Sequence, residues 1–160
     1  MALVELTLAP LPAHVRTARL VVVAAARRAG LDADLIDELR LAVGEATSRA
    51  VGLHARNGVD GPVQVRVVDN PARLTVTVTD QGPAAGPVPD DLAGDMLDSD
   101  DPHDADDVVD PDVSLAVLAG LVDDYAVEAN DSGTTVTLRW PLPVRAVGQT
   151  GPASTQAAQA

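Results

Sequence analysis

The chain has 160 residues, of which 46 % are hydrophobic but only 1 % aromatic, and its formal net charge at pH 7 is −13. This length allows one domain with a core of Val, Leu and Ala, while the acidic balance argues against a nucleic-acid ligand, because phosphate binding needs a basic face. The absence of Cys excludes disulfides and thiolate metal sites, and without an apolar run of membrane-spanning length we expect a cytoplasmic protein with no membrane contact.

The chain opens with a predicted strand followed by a helix. Residues Val4 to Leu8 alternate between apolar and polar, as is typical of a strand. Pro12 fits the first turn of a helix that continues from Ala13 to Ala29, and Gly30 is well placed to end it. Four basic residues lie off the apolar stripe of this helix: Arg16, Arg19, Arg27 and Arg28. For Arg19, a solvated helix face and contact with a partner both stay open.

The next helix, predicted from Leu35 to His54, has apolar residues at helical spacing along its whole length. Glu45 and Arg49 are four residues apart, so their side chains lie one turn from each other on the same side. His54 is expected to stack or cap at the helix end. Two acidic residues can cap the N-terminus: Asp32 and Asp34.

A predicted hairpin and an acidic segment follow. The strands run from Pro62 to Val68 and from Arg73 to Val78, joined by the loop at Asp69 to Pro71. Eleven Asp and no Arg lie between Asp90 and Asp112. This composition indicates a solvated acidic loop, which a basic surface could also bind as a polyanion mimic; it lacks the ordered ligand spacing of a calcium loop.

The rest of the chain predicts a helix over Leu115 to Val122, two further strands at Tyr125 to Glu128 and Thr134 to Trp140, and a disordered tail. This order of elements favours an α+β two-layer sandwich, with a mixed, mostly antiparallel sheet covered by helices on one face. The predicted domain spans residues 3–142 and includes a lid-like acidic loop at 83–112, followed by a tail at 143–160.

Four short segments stand in an order typical of one family. They are GEATSRAVGLH at 44–54, DQG at 80–82, DVSL at 112–115 and GTT at 133–135. Over about residues 4 to 142 the chain resembles the bacterial anti-sigma-factor serine kinases, which have the histidine-kinase-like (GHKL) ATPase fold. The wording of the first segment is most similar to an actinobacterial branch of that family.

The resemblance implies a role for several residues. Glu45 stands where the family has its general base, and Arg49 where it has an Asn that ligates magnesium. The family's adenine-holding positions are matched by Asp80, Gly82, Thr134 and Thr135. The first helix of the family carries an Ala-Arg pair that meets protein partners, and Ala18 and Arg19 stand at that place. The predicted partner-binding residues are Arg19 and its neighbour on the same helix, Arg16.

Three departures from the family pattern agree with one another. A guanidinium has only donors and cannot ligate magnesium, so Arg49 removes the metal ligand. Asp112 and Ser114 replace the glycines that let the backbone approach a phosphate at a helix N-terminus. The acidic loop would place like charge against a triphosphate. These departures predict a degenerate member of the family that binds neither cofactor nor metal and in which Glu45 is a vestigial base. Two arrangements of Glu45 and Arg49 stay open: an ion pair with each other, or a working base and a phosphate clamp.

The resulting hypothesis is an anti-sigma factor that sequesters an RNA polymerase sigma factor and is released by a STAS-type anti-anti-sigma factor, without ATP or kinase activity. The net charge by itself favours a basic protein partner. Two alternatives stay open: an active ATP-dependent serine kinase that phosphorylates the anti-anti-sigma factor, and an adaptor that binds only a STAS protein. The resemblance also implies a possible homodimer.

Overall fold

The computed structural model describes residues 1–83 and 111–143, with the side chains of 111 and 112 excepted. The acidic loop, apart from its ends, and nearly all of the predicted tail lie outside these residues. The elements are β1 Leu3–Leu8, α1 Pro12–Ala29, α2 Ala33–Asn57, β2 Val63–Asn70, β3 Arg73–Asp80, α3 Pro111–Leu121, β4 Asp124–Asn130 and β5 Gly133–Pro141.

The five strands form one open sheet in the order β1-β2-β3-β5-β4, and each neighbouring pair is antiparallel. Buried and partly exposed side chains alternate along β3 and β5. One face of the sheet is therefore buried, and the other is partly exposed to solvent. The buried face carries Leu74, Val76 and Val78 on β3, opposite Val136 and Leu138 on β5. The predicted α+β sandwich is confirmed.

Local sequence signals fix the ends of the two long helices. Pro12 occupies the first turn of α1, and Gly30 ends it in the left-handed conformation with φ of 88°. The Asp32 carboxylate accepts a 3.0 Å hydrogen bond from the main-chain N–H of Asp34 and thereby caps α2. Helix α2 continues to Asn57, one turn beyond the predicted end.

The core lies between the helices and the sheet and contains almost no aromatic side chain. Its fully buried members are mainly aliphatic, among them Val22, Leu39, Val43 and Leu118. Trp140 is also buried, and its indole N–H donates a 2.8 Å hydrogen bond to Glu38 on α2. This bond ties the last strand to the central helix.

Predicted boundaries also differ from the structure at α3 and at the β2–β3 hairpin. Helix α3 begins at Pro111, so the last two residues of the predicted acidic loop belong to a helix. The β2–β3 hairpin turns at residues 71 and 72, because β2 extends two residues further than predicted, to Asn70, whose side chain accepts the N–H of Ala72 at 3.0 Å. β3 begins at Arg73 as predicted and extends two residues further at its other end. No helix in the described part of the chain has the length and apolar character needed to cross a bilayer.

Candidate functional site

The candidate site lies where α2 faces the ends of β3 and β5. Helix α2 contributes Glu45 and Arg49, the end of β3 contributes Asp80, and the start of β5 contributes Thr134. The register pairs Asp80 directly with Thr134, on the face of the sheet that the helices cover. Strand pairing and helix packing therefore bring together residues from three distant segments.

Arg49 and Asp80 form a buried ion pair. Arg49 Nη1 donates a hydrogen bond of 2.9 Å to Asp80 Oδ2, and each side chain is only 2 % exposed. The other carboxylate oxygen, Oδ1, accepts the main-chain N–H of Gly82 at 3.0 Å. Both oxygens of Asp80 are thus bonded to the protein itself.

The partner of Arg49 differs from the sequence expectation. An ion pair with Glu45 was one of the two predicted arrangements, but the carboxylate that Arg49 contacts is Asp80. Glu45 is half-buried one turn earlier on α2. The long guanidinium side chain reaches across to the sheet, where an equally buried carboxylate pairs with its charge.

Thr134 and Thr135 lie on opposite faces of the sheet, which corrects the prediction that both line one pocket. Thr134 is buried on the helix side, and its hydroxyl has no hydrogen-bond partner among the described residues. Thr135 lies on the open face, where its hydroxyl is 3.2 Å from that of Thr79. Adjacent residues of a strand must point to opposite faces, so only one of them can reach Asp80.

Two further buried polar atoms lack a partner within residues 1–83 and 111–143. They are Arg49 Nε and Ser114 Oγ. Ser114 is fully buried near the start of α3, at one of the positions where the resemblance places a glycine. The Ser114 side chain thus occupies buried space at a position where the family pattern has a glycine, which has no side chain.

His54 is a structural residue whose contacts the sequence did not predict. Its buried ring accepts the N–H of Gln81 on Nε2 at 2.8 Å and lies 2.9 Å from the carbonyl of Gly61 through Nδ1. Since Nε2 accepts, Nδ1 carries the proton and donates to Gly61. The only sequence signal was a His at the end of an apolar helix, before a glycine-containing turn.

The predicted partner-binding residues, Arg16 and Arg19, lie on the exposed side of α1, whereas the Arg49–Asp80 pair is buried. They border a shallow groove of about 420 Å³ between α1 and α2. The structure therefore separates two regions: a buried polar site at the sheet and an exposed basic surface on the helices.

Comparisons with known proteins give one consistent result. Residues 8–140 match the family described as the histidine kinase-like ATPase domain. The chain is 30 % identical over 140 residues to the serine-protein kinase RsbW of Bacillus pumilus, covering 85 % of this chain and 83 % of that protein.

A solved structure of the RsbU and RsbW domains of Rv1364c from Mycobacterium tuberculosis is similar in fold. The TM-score is 0.61 at 20 % sequence identity, over 92 % of this chain and 35 % of that one. The chain therefore spans about a third of the length of that solved chain.

Proposed function

Because the chain belongs to the histidine kinase-like ATPase domain family and is homologous to RsbW, we propose that it is an anti-sigma factor that binds its partners without ATP. In this proposal it sequesters a sigma factor and releases it when a STAS-type anti-anti-sigma factor competes for an overlapping surface. Arg16 and Arg19 belong to that surface. The single observation that carries the ATP-independent part is the buried Arg49–Asp80 pair.

Magnesium does not fit this site. The family pattern places an oxygen ligand at position 49, whereas a guanidinium offers N–H donors and no lone pair. Its positive charge, buried at 2 % exposure, would also repel a divalent cation. The residues at the predicted metal position therefore argue against a metal-bound nucleotide.

Adenine recognition is opposed by the same pair. A carboxylate that holds adenine must accept a hydrogen bond from the base. Each oxygen of Asp80 already accepts one bond, Oδ2 from Arg49 and Oδ1 from Gly82, so a base must either use a remaining lone pair or compete with Arg49 for Oδ2. A ligand that displaced Arg49 would leave a buried charge unpaired, which typically costs about 3–5 kcal/mol. Since about 1.4 kcal/mol is a factor of ten in affinity, this cost weakens binding by at least about a hundredfold.

Isothermal titration of the full chain with ATP and magnesium tests the ATP-independent part. We expect no heat of binding, with the RsbW protein of Bacillus pumilus as the positive control. A dissociation constant below about 100 µM, which corresponds to about 5.5 kcal/mol, would contradict it. Partner exchange is tested separately by adding a purified STAS protein to the complex with the sigma factor, and we expect displacement without nucleotide.

An active serine kinase is the second candidate, and two observations favour it. The relative from Bacillus pumilus is named a serine-protein kinase. Glu45 is half-buried and is not the carboxylate paired with Arg49, so a base remains at the family's position. Phosphate transfer from labelled ATP to a STAS protein, abolished by Glu45→Ala but retained in Glu38→Ala, would establish this alternative.

The adaptor is distinguished by its partners alone. An adaptor would retain a STAS protein but no sigma factor when each purified candidate is passed over the immobilised chain. We expect both classes to be retained. The predicted homodimer belongs to the same proposal, and sedimentation of the purified chain measures it.

A further inference from the structure

Strand β4 forms one edge of the sheet, and its packing is incomplete. In the order β1-β2-β3-β5-β4 it has β5 on one side, and no strand among the described residues pairs with its other side. It is also the one strand of the described sheet without a buried side chain. In an antiparallel pair every second residue turns its main-chain N–H and C=O away from the neighbour. β4 therefore presents a row of donors and acceptors that the described sheet does not use.

On the helix side of the sheet, β4 extends the apolar core beyond its buried part. Tyr125 and Val127 stand opposite Leu138 and Val136, which are buried on β5. Tyr125 and Val127 are nevertheless 40 % and 38 % exposed, since α3 packs mainly against α2. A further strand beside β4 would place its own side chains against these two and remove apolar surface from water, which is favourable.

The other face of β4 is acidic. Asp124 and Glu128 lie four residues apart on this face, because strand side chains alternate. Asp124 is paired with Arg139 at 3.0 Å, whereas Glu128 forms no ion pair within residues 1–83 and 111–143. Two more carboxylates flank the strand, one before it and one in the turn after it: Asp123 and Asp131. The edge thus combines an apolar face with a negative one.

A second copy of this chain does not fit the edge. In an antiparallel two-fold pairing centred on Val127, Asp123 would stand opposite Asp131, so like charges would meet at both ends of the paired strands. Each copy also carries a formal net charge of −13. Charge therefore opposes self-pairing along β4.

The chain's own remaining segments fit no better. The N–H of Leu142 donates to the carbonyl of Ala72 at 2.9 Å, so the chain leaves β5 on the side of β3, away from β4. The segment from Asp90 to Asp112 contains eleven Asp and no Arg, and its charge has the same sign as that of Glu128. The charge of the edge therefore favours a cationic segment of another protein.

We propose that β4 is a docking edge for an extended segment of a partner protein, which pairs with β4 as a further strand and in which apolar and basic residues alternate. Its apolar residues lie against Tyr125 and Val127, and a Lys or Arg lies against Glu128. In strand addition, main-chain hydrogen bonds supply affinity and alternate side chains supply specificity. The edge is separate from the surface of α1, which packs on β1, β2 and β3, so this contact lies outside the surface for which the sigma factor and the STAS protein compete.

The probe is a synthetic peptide as long as β4, which has seven residues, with Arg and Val in alternation. It is titrated into the isotope-labelled full chain, and amide hydrogen exchange is followed residue by residue by NMR. The same peptide with N-methyl groups on its central residues keeps the charge but lacks the N–H donors needed for strand pairing. Strand β1, the opposite edge of the same sheet, is the internal control.

Two variants with the same change in charge separate binding at the edge from attraction to the acidic chain as a whole. Glu128→Arg reverses a charge on β4, and Glu5→Arg reverses an exposed one on β1. We expect the peptide to slow amide exchange at every second residue of β4 at least threefold and to leave β1 unchanged. Glu128→Arg should weaken peptide binding at least fivefold at 50 mM salt and Glu5→Arg less than twofold, with the difference shrinking at 500 mM.

Several results would overturn the docking edge. Equal binding of the N-methylated peptide would show attraction by charge without strand pairing. Absence of protection along β4, equal protection of β1, or equal binding by the two variants would place the peptide elsewhere. Slow exchange along β4 before peptide is added would assign the edge to a second copy, if sedimentation shows a dimer, or to this chain's own segments. Each of these results leaves the proposed function standing, because that proposal concerns α1 and the Arg49–Asp80 pair.

Discussion

Gly133 lies so close to Asp80 that a β-carbon on Gly133 would overlap the main-chain carbonyl oxygen of Asp80. Gly133 also has φ of 141°, a conformation that other residues rarely adopt. The start of β5 can therefore approach the end of β3 only with glycine at this position. This approach brings Thr134 beside the Arg49–Asp80 pair.

Gly133→Ala should destabilise the domain by about 3 kcal/mol or more, since backbone strain and steric overlap add. Chemical denaturation followed by circular dichroism measures the change. Gly120→Ala is the matched control, because a β-carbon there meets nothing within 4 Å. Gly120 is the penultimate residue of α3, so its replacement should change the stability by less than about 1 kcal/mol. Equal effects of the two substitutions would contradict the close approach.

Arg49→Met should cost about 3–5 kcal/mol of unfolding free energy, because it leaves the carboxylate of Asp80 buried without its cation. Adding Asp80→Asn should recover most of the loss, since the amide oxygen can still accept the N–H of Gly82. The double-mutant cycle is read from urea denaturation.

The control for this cycle is the exposed pair between Arg66 and Glu5. Arg66→Met should change stability by less than about 1 kcal/mol. A loss for Arg49→Met that is as small as the loss for Arg66→Met would show that the pair is not buried as described.

His54→Ala should speed amide hydrogen exchange at Gln81 and destabilise the domain by about 2–4 kcal/mol, because two buried main-chain groups lose their partner. Exchange at Val76, in the middle of β3, should change only through global stability. His14→Ala removes an exposed bond to the carbonyl of Ala9 and should cost less than about 1 kcal/mol. An unchanged exchange rate of the Gln81 amide in His54→Ala would contradict the hydrogen bond from Gln81 N–H to the His54 ring.

Gly44→Ala should lower affinity for the sigma factor while leaving the unfolding free energy unchanged or slightly raised. The new methyl group displaces the Arg19 stem, whereas Ala is favoured over Gly inside a helix by up to about 1 kcal/mol. Gly52→Ala in the same helix is the control, since its nearest neighbour is Arg56 Nη2 at 3.9 Å. If the two variants bound the sigma factor with equal affinity, the claim that Gly44 positions the Arg19 side chain for binding would be wrong.

Local patterns predicted most of the fold. Pro12, Gly30 and Asp32 marked helix ends that the structure confirms, because capping depends on a few neighbouring residues. Alternation predicted β2 and β3, but not their lengths. The hairpin turn was predicted too early in the chain, because Asn70 was assigned to the loop. In the structure Asn70 is the last residue of β2, and its side chain accepts the N–H of Ala72 in the turn.

The site was harder to predict because its contacts are not local. Spacing on a helix relates Glu45 to Arg49, yet Arg49 bonds Asp80, which lies on another element. The faces of Thr134 and Thr135 follow from strand alternation alone, so this part was predictable and was missed because the motif was treated as a unit. The two bonds of His54 depend on the tertiary fold and leave no pattern in the sequence.

The strand order also affects the growing polypeptide. β3 lies between β2 and β5, but β5 is synthesised after the other four strands of the described sheet. A chain that stops before Gly133 leaves one side of β3 unpaired, with Leu74, Val76 and Val78 along one face. Such an open apolar edge promotes aggregation, so ribosome-bound or truncated chains of this protein should need a chaperone until β5 docks.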